Sequence, residues 1–179
     1  KSVYGLPEHH RQAITKASLI GNPGCYPTAS LLPLLPLMKE GWVESDSIII
    51  DAKSGVTGAG RSVTLDSLYS EIHDSFHAYK VGTHRHTPEI EQELSQAAGE
   101  KIVITFTPHL VPMDRGIFAT IYARPAKKVT SSKILQLLKE VYGKEPFIQI
   151  LPEGIFPKTK QVRGTNNCQI GAAVHPKSG

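Results

Sequence analysis

The sequence predicts an α+β fold: a mixed, largely antiparallel sheet covered on one face by helices. Three features lead there. Helix-like and strand-like segments alternate in mixed order, short β-branched runs are bounded by turn formers, and the apolar stripe of at least one helix calls for a sheet to cover. At 179 residues, with 40% apolar and 20% charged side chains, the chain can bury a sizeable core. A single domain over 1–179 is therefore expected.

Residues 27–40 begin with Pro27, suited to a first helical turn, and continue with Ala29, Leu31, Leu32, Leu34 and Leu35, apolar on nearly every side. A buried helix is expected, kinked or broken at Pro33 and Pro36, since each lacks an amide hydrogen and crowds the preceding turn. Residues 48–52 (IIIDA) read as a buried strand, and residues 54–61 (SGVTGAGR) as a loop able to approach a ligand closely. Thr87, Pro88, Glu89 and Glu91 mark a helix start and Gly99 its stop. Strands are expected at 102–106 and 117–123, with 108–116 as their connection. Thr130 or Ser131 caps a helix with the stripe Ile134, Leu135, Leu137, Leu138, Val141 and Tyr142, ended by Gly143. Short strands near 147–150 and 169–174 complete the order.

Composition narrows the function. The charge of +4 comes from scattered Lys and Arg with no aromatic-interleaved basic run, which argues against nucleic acid and suits a small anionic substrate. The longest apolar run, 31–38, holds two prolines and is too short for a bilayer, so no membrane partner is expected. Two cysteines make no disulfide framework, and a cytoplasmic location follows.

Cys25 sits in GNPGCYPTAS (21–30), between turn formers and the expected helix start. A free cysteine can be a buried apolar residue. Here Gly24 permits a sharp turn, and the helix amides beyond it favour an anion, which makes a thiolate nucleophile the alternative. The same amides can hold an oxyanion. Its best proton acceptor is in GTHRHTP (82–88), where His84 and His86 share one face of an extended segment and Arg85 the other; His84 is preferred. A pair of solvated or core imidazoles and a metal site remain the other readings of His-x-His, the metal unsupported by a third ligand. His73 and His77 are expected at the surface, and Cys168, ahead of an apolar strand, in the core. Arg61, Arg85 and Arg115 each occupy turn-like stretches where a guanidinium can grip a carboxylate or phosphate, or simply face water.

Taken together, Tyr4 to Glu8, the GCYPTA segment at 24–29, Ser54-Gly55 with Gly58 to Arg61, His84 to Ile90 and Pro112 to Gly116 resemble the N-acetyl-gamma-glutamyl-phosphate reductase family, in order along essentially the whole chain. The resemblance implies a fold like the glyceraldehyde-3-phosphate dehydrogenase C-terminal domain. It implies NADPH-dependent reduction of N-acetylglutamyl 5-phosphate to the 5-semialdehyde in arginine biosynthesis, through a thioester on Cys25, with His84 as the catalytic histidine. It further implies Arg85, Arg115, Arg61 and Ser54 on the substrate, Gly55 and Gly58 toward the nicotinamide, NADP(H) as cofactor, no metal, and a homodimer or homotetramer. The glycine-rich nucleotide fingerprint of a Rossmann domain does not occur in the chain. The expectation is thus a substrate and dimerisation domain without its NADP-binding domain and last C-terminal helix, binding NADP(H) weakly and turning over little alone. Aspartate-semialdehyde dehydrogenase is the nearest alternative, although its cysteine segment differs; a cysteine hydrolase and a non-catalytic assembly module are the others.

Overall fold

A computed structural model describes residues 2–62 and 64–177. In chain order the elements are β1 (Val3–Tyr4), α1 (Pro7–Ile14), β2 (Ile20–Gly21), α2 (Cys25–Lys39), β3 (Ile49–Gly55), α3 (Tyr69–Ile72), β4 (His77–Ala78), α4 (Thr87–Ala98), β5 (Thr105–Val111), β6 (Ile117–Tyr122), α5 (Ser131–Tyr142), β7 (Ile148–Ile150), α6 (Thr159–Val162) and β8 (Cys168–Ile170). The main sheet runs β4, β5, β3, β6. Its central pair β3/β5 is parallel and both outer pairings are antiparallel, while β1/β2 and β7/β8 form small parallel ladders.

Period-2 alternation divides the sheet into two faces. Ile50, Ala52 and Ser54 of β3 are in register with Phe106, Pro108 and Leu110 of β5, and with Ile121, Ala119 and Ile117 of β6. That face is covered. Here α2 packs against β6, α4 and α5, and Leu31, Leu32, Leu34 and Leu35 are all no more than 3% exposed. A helix so enclosed has no polar face to show, which is why its sequence carries almost no amphipathic signal. Each of those leucines contributes roughly 1.5–3 kcal/mol by leaving water. The opposite face carries Asp51, whose carboxylate meets Lys53 at 2.6 Å and His109 at 3.1 Å, and leaves Ile49 and Tyr122 exposed.

Several boundaries differ from the sequence reading, each for a physical reason. Helix α2 starts two residues earlier than expected, so Cys25 is its first residue and Gly24 its N-cap. It also runs to Lys39 as one element despite Pro33 and Pro36. Pro36 cannot donate to the Leu32 carbonyl one turn back, and the Tyr142 hydroxyl from α5 donates to it instead at 2.5 Å. His9 of α1 closes on the same hydroxyl at 2.7 Å. Strand β5 occupies Thr105–Val111 rather than 102–106 and passes through Pro108. The Pro108 carbonyl accepts the Tyr79 amide on the β4 side; because N and C=O of a strand residue point the same way, the missing N–H falls there and spares the β3 ladder. β4 is only two residues long, so little pairing is lost. Strand β8 is shorter than expected, ending at Ile170. At α5 the cap is Thr130, whose hydroxyl accepts the Lys133 amide, and Gly99 closes α4 at φ +73°.

The Tyr142–Leu32 bond yields a stability prediction. Tyr142→Phe keeps the ring packed but leaves a buried carbonyl without its donor, at a cost of about 1–3 kcal/mol. A fall in the urea midpoint at unchanged m-value is the expected result; an unchanged midpoint would mean that α2 tolerates its prolines unaided.

Candidate active site

Gly24 is the hinge on which the site is built. It caps α2 in extended conformation, its carbonyl accepts the Thr28 amide and hydroxyl at 3.0 Å each, and its own N–H donates to Glu89 Oε1 at 2.8 Å. A Cβ here would lie 2.4 Å from His86 Nε2, so only glycine lets the imidazole close on the backbone. Cys25 follows, exposed at the start of the helix. Pro27 has no N–H, which leaves the Cys25 and Tyr26 amides as the donors of the first turn.

Behind the cysteine is a ring cluster. Tyr26, 2% exposed, has centroids 5.6 Å from His84, 6.0 Å from His86 and 5.3 Å from Phe106. Its hydroxyl pairs with that of Tyr79 at 3.0 Å and donates to the His109 carbonyl at 3.3 Å. Burial, reinforced by Tyr79, drives the Tyr26 phenol far above its ordinary range and keeps it protonated. The imidazoles of His84 and His86 are 4.8 Å apart and each 7% exposed, while Arg85 between them faces solvent.

Burial, then the neighbouring His86, Lys80 and Arg85, push His84 down to about 4, so its ring is neutral near pH 7. Burial lowers His86 as well, partly offset by Glu89. Nδ1 of His84 accepts the His86 amide at 3.1 Å. In the neutral ring the proton therefore sits on Nε2, and His84 begins as a hydrogen-bond donor. This bears on the expected base role, because a proton acceptor needs a free ring lone pair and the Nδ1 lone pair is already engaged.

The remaining expected residues divide. Arg61, Arg85 and Arg115 are all exposed, and no ion pair engages them among the described residues. Ser54 is 4% exposed and donates to the Gly55 carbonyl at 3.0 Å. Gly55 is buried where the 112–116 loop crosses: a Cβ would come within 2.7 Å of the Met113 carbonyl and 2.8 Å of the Arg115 amide. A Cβ on Gly58 would meet Ser54 Oγ at 2.6 Å. Both positions are thus crowded by the chain's own packing; of the two, only Gly58 is exposed. The 112–116 loop is fastened by Val56 N–H to Met113 O, Thr57 N–H to Asp114 O and Gly55 N–H to Gly116 O. This brings Arg115 beside the strand that carries Ser54.

Elsewhere, Cys168 is half-buried, and burial and Glu8 push its thiol up to about 11. His73 is exposed and stacked on Tyr69, while His77 lies in β4, so the two share no helical face. No group of three or more His, Cys, Asp or Glu that could hold a metal occurs among the described residues, and none of their helices is long and apolar enough to cross a membrane. Tyr79 and Tyr26 escaped the sequence reading: adjacency to Cys25 was a signal for the second, and nothing local marks the first.

Two predictions follow from this geometry. Gly24→Ala must displace the His86 ring, and iodoacetamide alkylation of Cys25, followed by peptide mass spectrometry, is expected to change about tenfold or more; unchanged alkylation would show the contact to be idle. The second concerns acid. His84 and His9 are both held down to about 4 against an ordinary 6.5, so the unfolded chain takes up protons first as pH falls. Their contribution to stability is complete above about pH 6.5 and is lost between there and about pH 4; urea midpoints across that window should fall, and a flat profile would contradict the shifts.

The model of the family described as "Semialdehyde dehydrogenase, dimerisation domain" matches residues 25–179. The N-acetyl-gamma-glutamyl-phosphate reductase of Pelobacter propionicus is 55% identical over 99% of this chain, and that of Geotalea daltonii 54% identical over all of it. Each alignment takes in 52% of the relative, so the chain spans about half the length of the curated relatives it matches. Among solved structures, a probable aspartate-semialdehyde dehydrogenase from Pseudomonas aeruginosa superposes with a TM-score of 0.71 at 16% identity, covering 99% of this chain and 60% of that one. The Candida albicans aspartate-semialdehyde dehydrogenase, solved with NADP, gives 0.57 at 17% identity, covering 86% and 48%. These similarities establish the expected α+β fold.

Proposed function

The chain belongs to the semialdehyde dehydrogenase dimerisation-domain family, and we propose that it is the cysteine-bearing part of an N-acetyl-gamma-glutamyl-phosphate reductase. The observation that carries this reading is Cys25, exposed at the first turn of a buried helix with the His84–His86 pair packed around the residues on either side of it. Relatives above 50% identity support the N-acetylglutamyl substrate. Aspartate-semialdehyde dehydrogenase would use the same chemistry, but those neighbours are similar at 14–17% and speak for the fold alone.

In the proposed mechanism the Cys25 thiolate adds to the acyl phosphate carbonyl and phosphate leaves with the C–O bonding pair, giving a thioester. Because Cys25 is exposed, solvent buffer can take the thiol proton, which relieves His84 of that step. The oxygen that gains charge is held by the Cys25 and Tyr26 amides and by the Nε2–H of His84. NADPH, when bound, supplies the hydride that reduces the thioester. The C–S bond then breaks, the aldehyde departs, and Cys25 is left as thiolate. Arg85 and Arg115, exposed cations without carboxylate partners among the described residues, are the proposed grips for the phosphate and the carboxylates, with Arg61 third. Gly58, exposed, and Gly55, buried behind it, are the glycines proposed toward the nicotinamide. A homodimer or homotetramer is proposed through the uncovered sheet face, where Ile49 is 44% and Tyr122 56% exposed, and two free thiols suit the cytoplasm.

The covalent half-reaction needs no nucleotide and offers a direct test. Incubation of the chain with N-acetylglutamyl 5-phosphate should release phosphate and add one N-acetylglutamyl group to the Cys25 peptide; Cys25→Ser should abolish both. Acylation by aspartyl phosphate in preference would favour the alternative substrate, and no acylation by either would defeat the reading.

A further inference from the structure

The geometry points to Glu89 as the positioning residue of the Cys25 nucleophile, acting through the Gly24 amide; this rests on the reading of Cys25 just given. One carboxylate oxygen, Oε1, accepts two hydrogen bonds, from the Gly24 N–H at 2.8 Å and from the Tyr4 hydroxyl at 2.7 Å. The first donor belongs to the N-cap residue of α2, one peptide ahead of Cys25, and the second to β1. Glu89 thereby ties three elements that are distant in sequence to one atom.

The position is well made for that task. Glu89 lies in the first turn of α4, whose positive end stabilises a carboxylate in place. Three residues earlier on the same turn, the His86 ring packs on the Gly24 Cα. Gly24 is therefore held on its N–H by Glu89, on its Cα by His86 and on its carbonyl by Thr28. Glycine is the residue most in need of this, since without it the backbone before the cysteine would sample many conformations. The bond also takes the Gly24 N–H out of the set aimed at an incoming anion and restricts that set to Cys25 and Tyr26. Tyr4 completes the clamp: burial, then Glu89, drive its phenol far upward, so it stays protonated and a donor near neutral pH. One turn along α4, Glu93, 3% exposed, meets His10 of α1 at 3.0 Å, and the His10 ring stands edge-on to Tyr4. The N-terminal segment is thus braced on α4 at two successive turns.

A role through hydrogen-bond geometry is separable from a role through charge. Glu89→Gln keeps a carbonyl oxygen at the same reach without the charge; Glu89→Asp keeps the charge and withdraws the oxygen by one methylene; Glu89→Ala removes both. For each, hydrogen exchange of the Gly24 amide would be followed by NMR and iodoacetamide alkylation of Cys25 by peptide mass spectrometry, with thermal midpoints alongside. Glu89→Ala and Glu89→Asp should speed Gly24 exchange about tenfold and change Cys25 alkylation severalfold, whereas Glu89→Gln should stay within about twofold of wild type in both. If Glu89→Gln behaves like Glu89→Ala, charge and not positioning is at work and the inference fails. It fails equally if Glu89→Asp is indistinguishable from wild type, a variant that remains informative even where Glu89→Ala is unstable. Failure of the acylation test would remove the proposed chemistry while these two readouts still decide whether Glu89 holds Gly24.

Discussion

The first turn of α2 is where the fold and the site meet, and it is fixed by contact with the first turn of α4. Two helix N-termini face each other there, each with a positive dipole end, an arrangement that needs compensation. Glu89 supplies it, seated in the α4 turn while accepting the Gly24 amide of the α2 turn. The His86 ring fills the space that a side chain at position 24 would occupy. Because α2 is otherwise sealed between the sheet, α4 and α5, any displacement of this turn would have to move a close-packed helix, which makes the cysteine's position a property of the whole core.

The two prolines of α2 illustrate the same dependence. In isolation residues 31–38 are a poor helix, since Pro33 and Pro36 remove two donors within one turn. Burial forces the helix to form and then requires a substitute donor, which α5 provides through Tyr142. His9 sits on that hydroxyl, beside Lys39, and is held neutral by burial. A deficiency written into one helix is thus met by tertiary contacts from two others. Acid sensitivity follows from the same burial that keeps the imidazoles free of protons.

Much of this was legible in the sequence where a local rule governs the outcome. Pro88 with Glu89, and Gly99, delimit α4 because caps and dipole are local physics. Gly24 before Cys25 announced a turn into a helix for the same reason, and His84-x-His86 announced two rings on one side. What escaped the reading depends on distant partners. Pro108 in a central strand contradicts propensity until the side on which its missing N–H falls is known. Helix α1 has no apolar stripe, and β1, β2 and β4 are two residues long, below any periodic signal. Tyr79 enters the site through a hydroxyl pair with Tyr26, 53 residues away, and Glu89 reaches Gly24 across 65. The crowding at Gly55 by the Met113 carbonyl and the Arg115 amide comes from residues some sixty positions away, and no local pattern announces it.

The proposed chemistry places different demands on the groups around the cysteine. The proposed acyl transfer from a phosphate would need a nucleophile, donors for the carbonyl oxygen and cations for the leaving group, and exposed Cys25, backbone amides of the first turn of α2 and unpaired arginines are the candidates among the described residues. The proposed donors are held in place: two are backbone amides of a buried helix, and the third is an imidazole whose Nδ1 accepts the amide of the next residue but one. The cations are the opposite, long arginines free of ion pairs among the described residues. Such a division suits a reaction in which the oxyanion must be met without reorganisation, whereas the phosphate must first be gripped and then released. On the proposed mechanism, rigidity is therefore concentrated where charge would develop, and freedom where charge would depart.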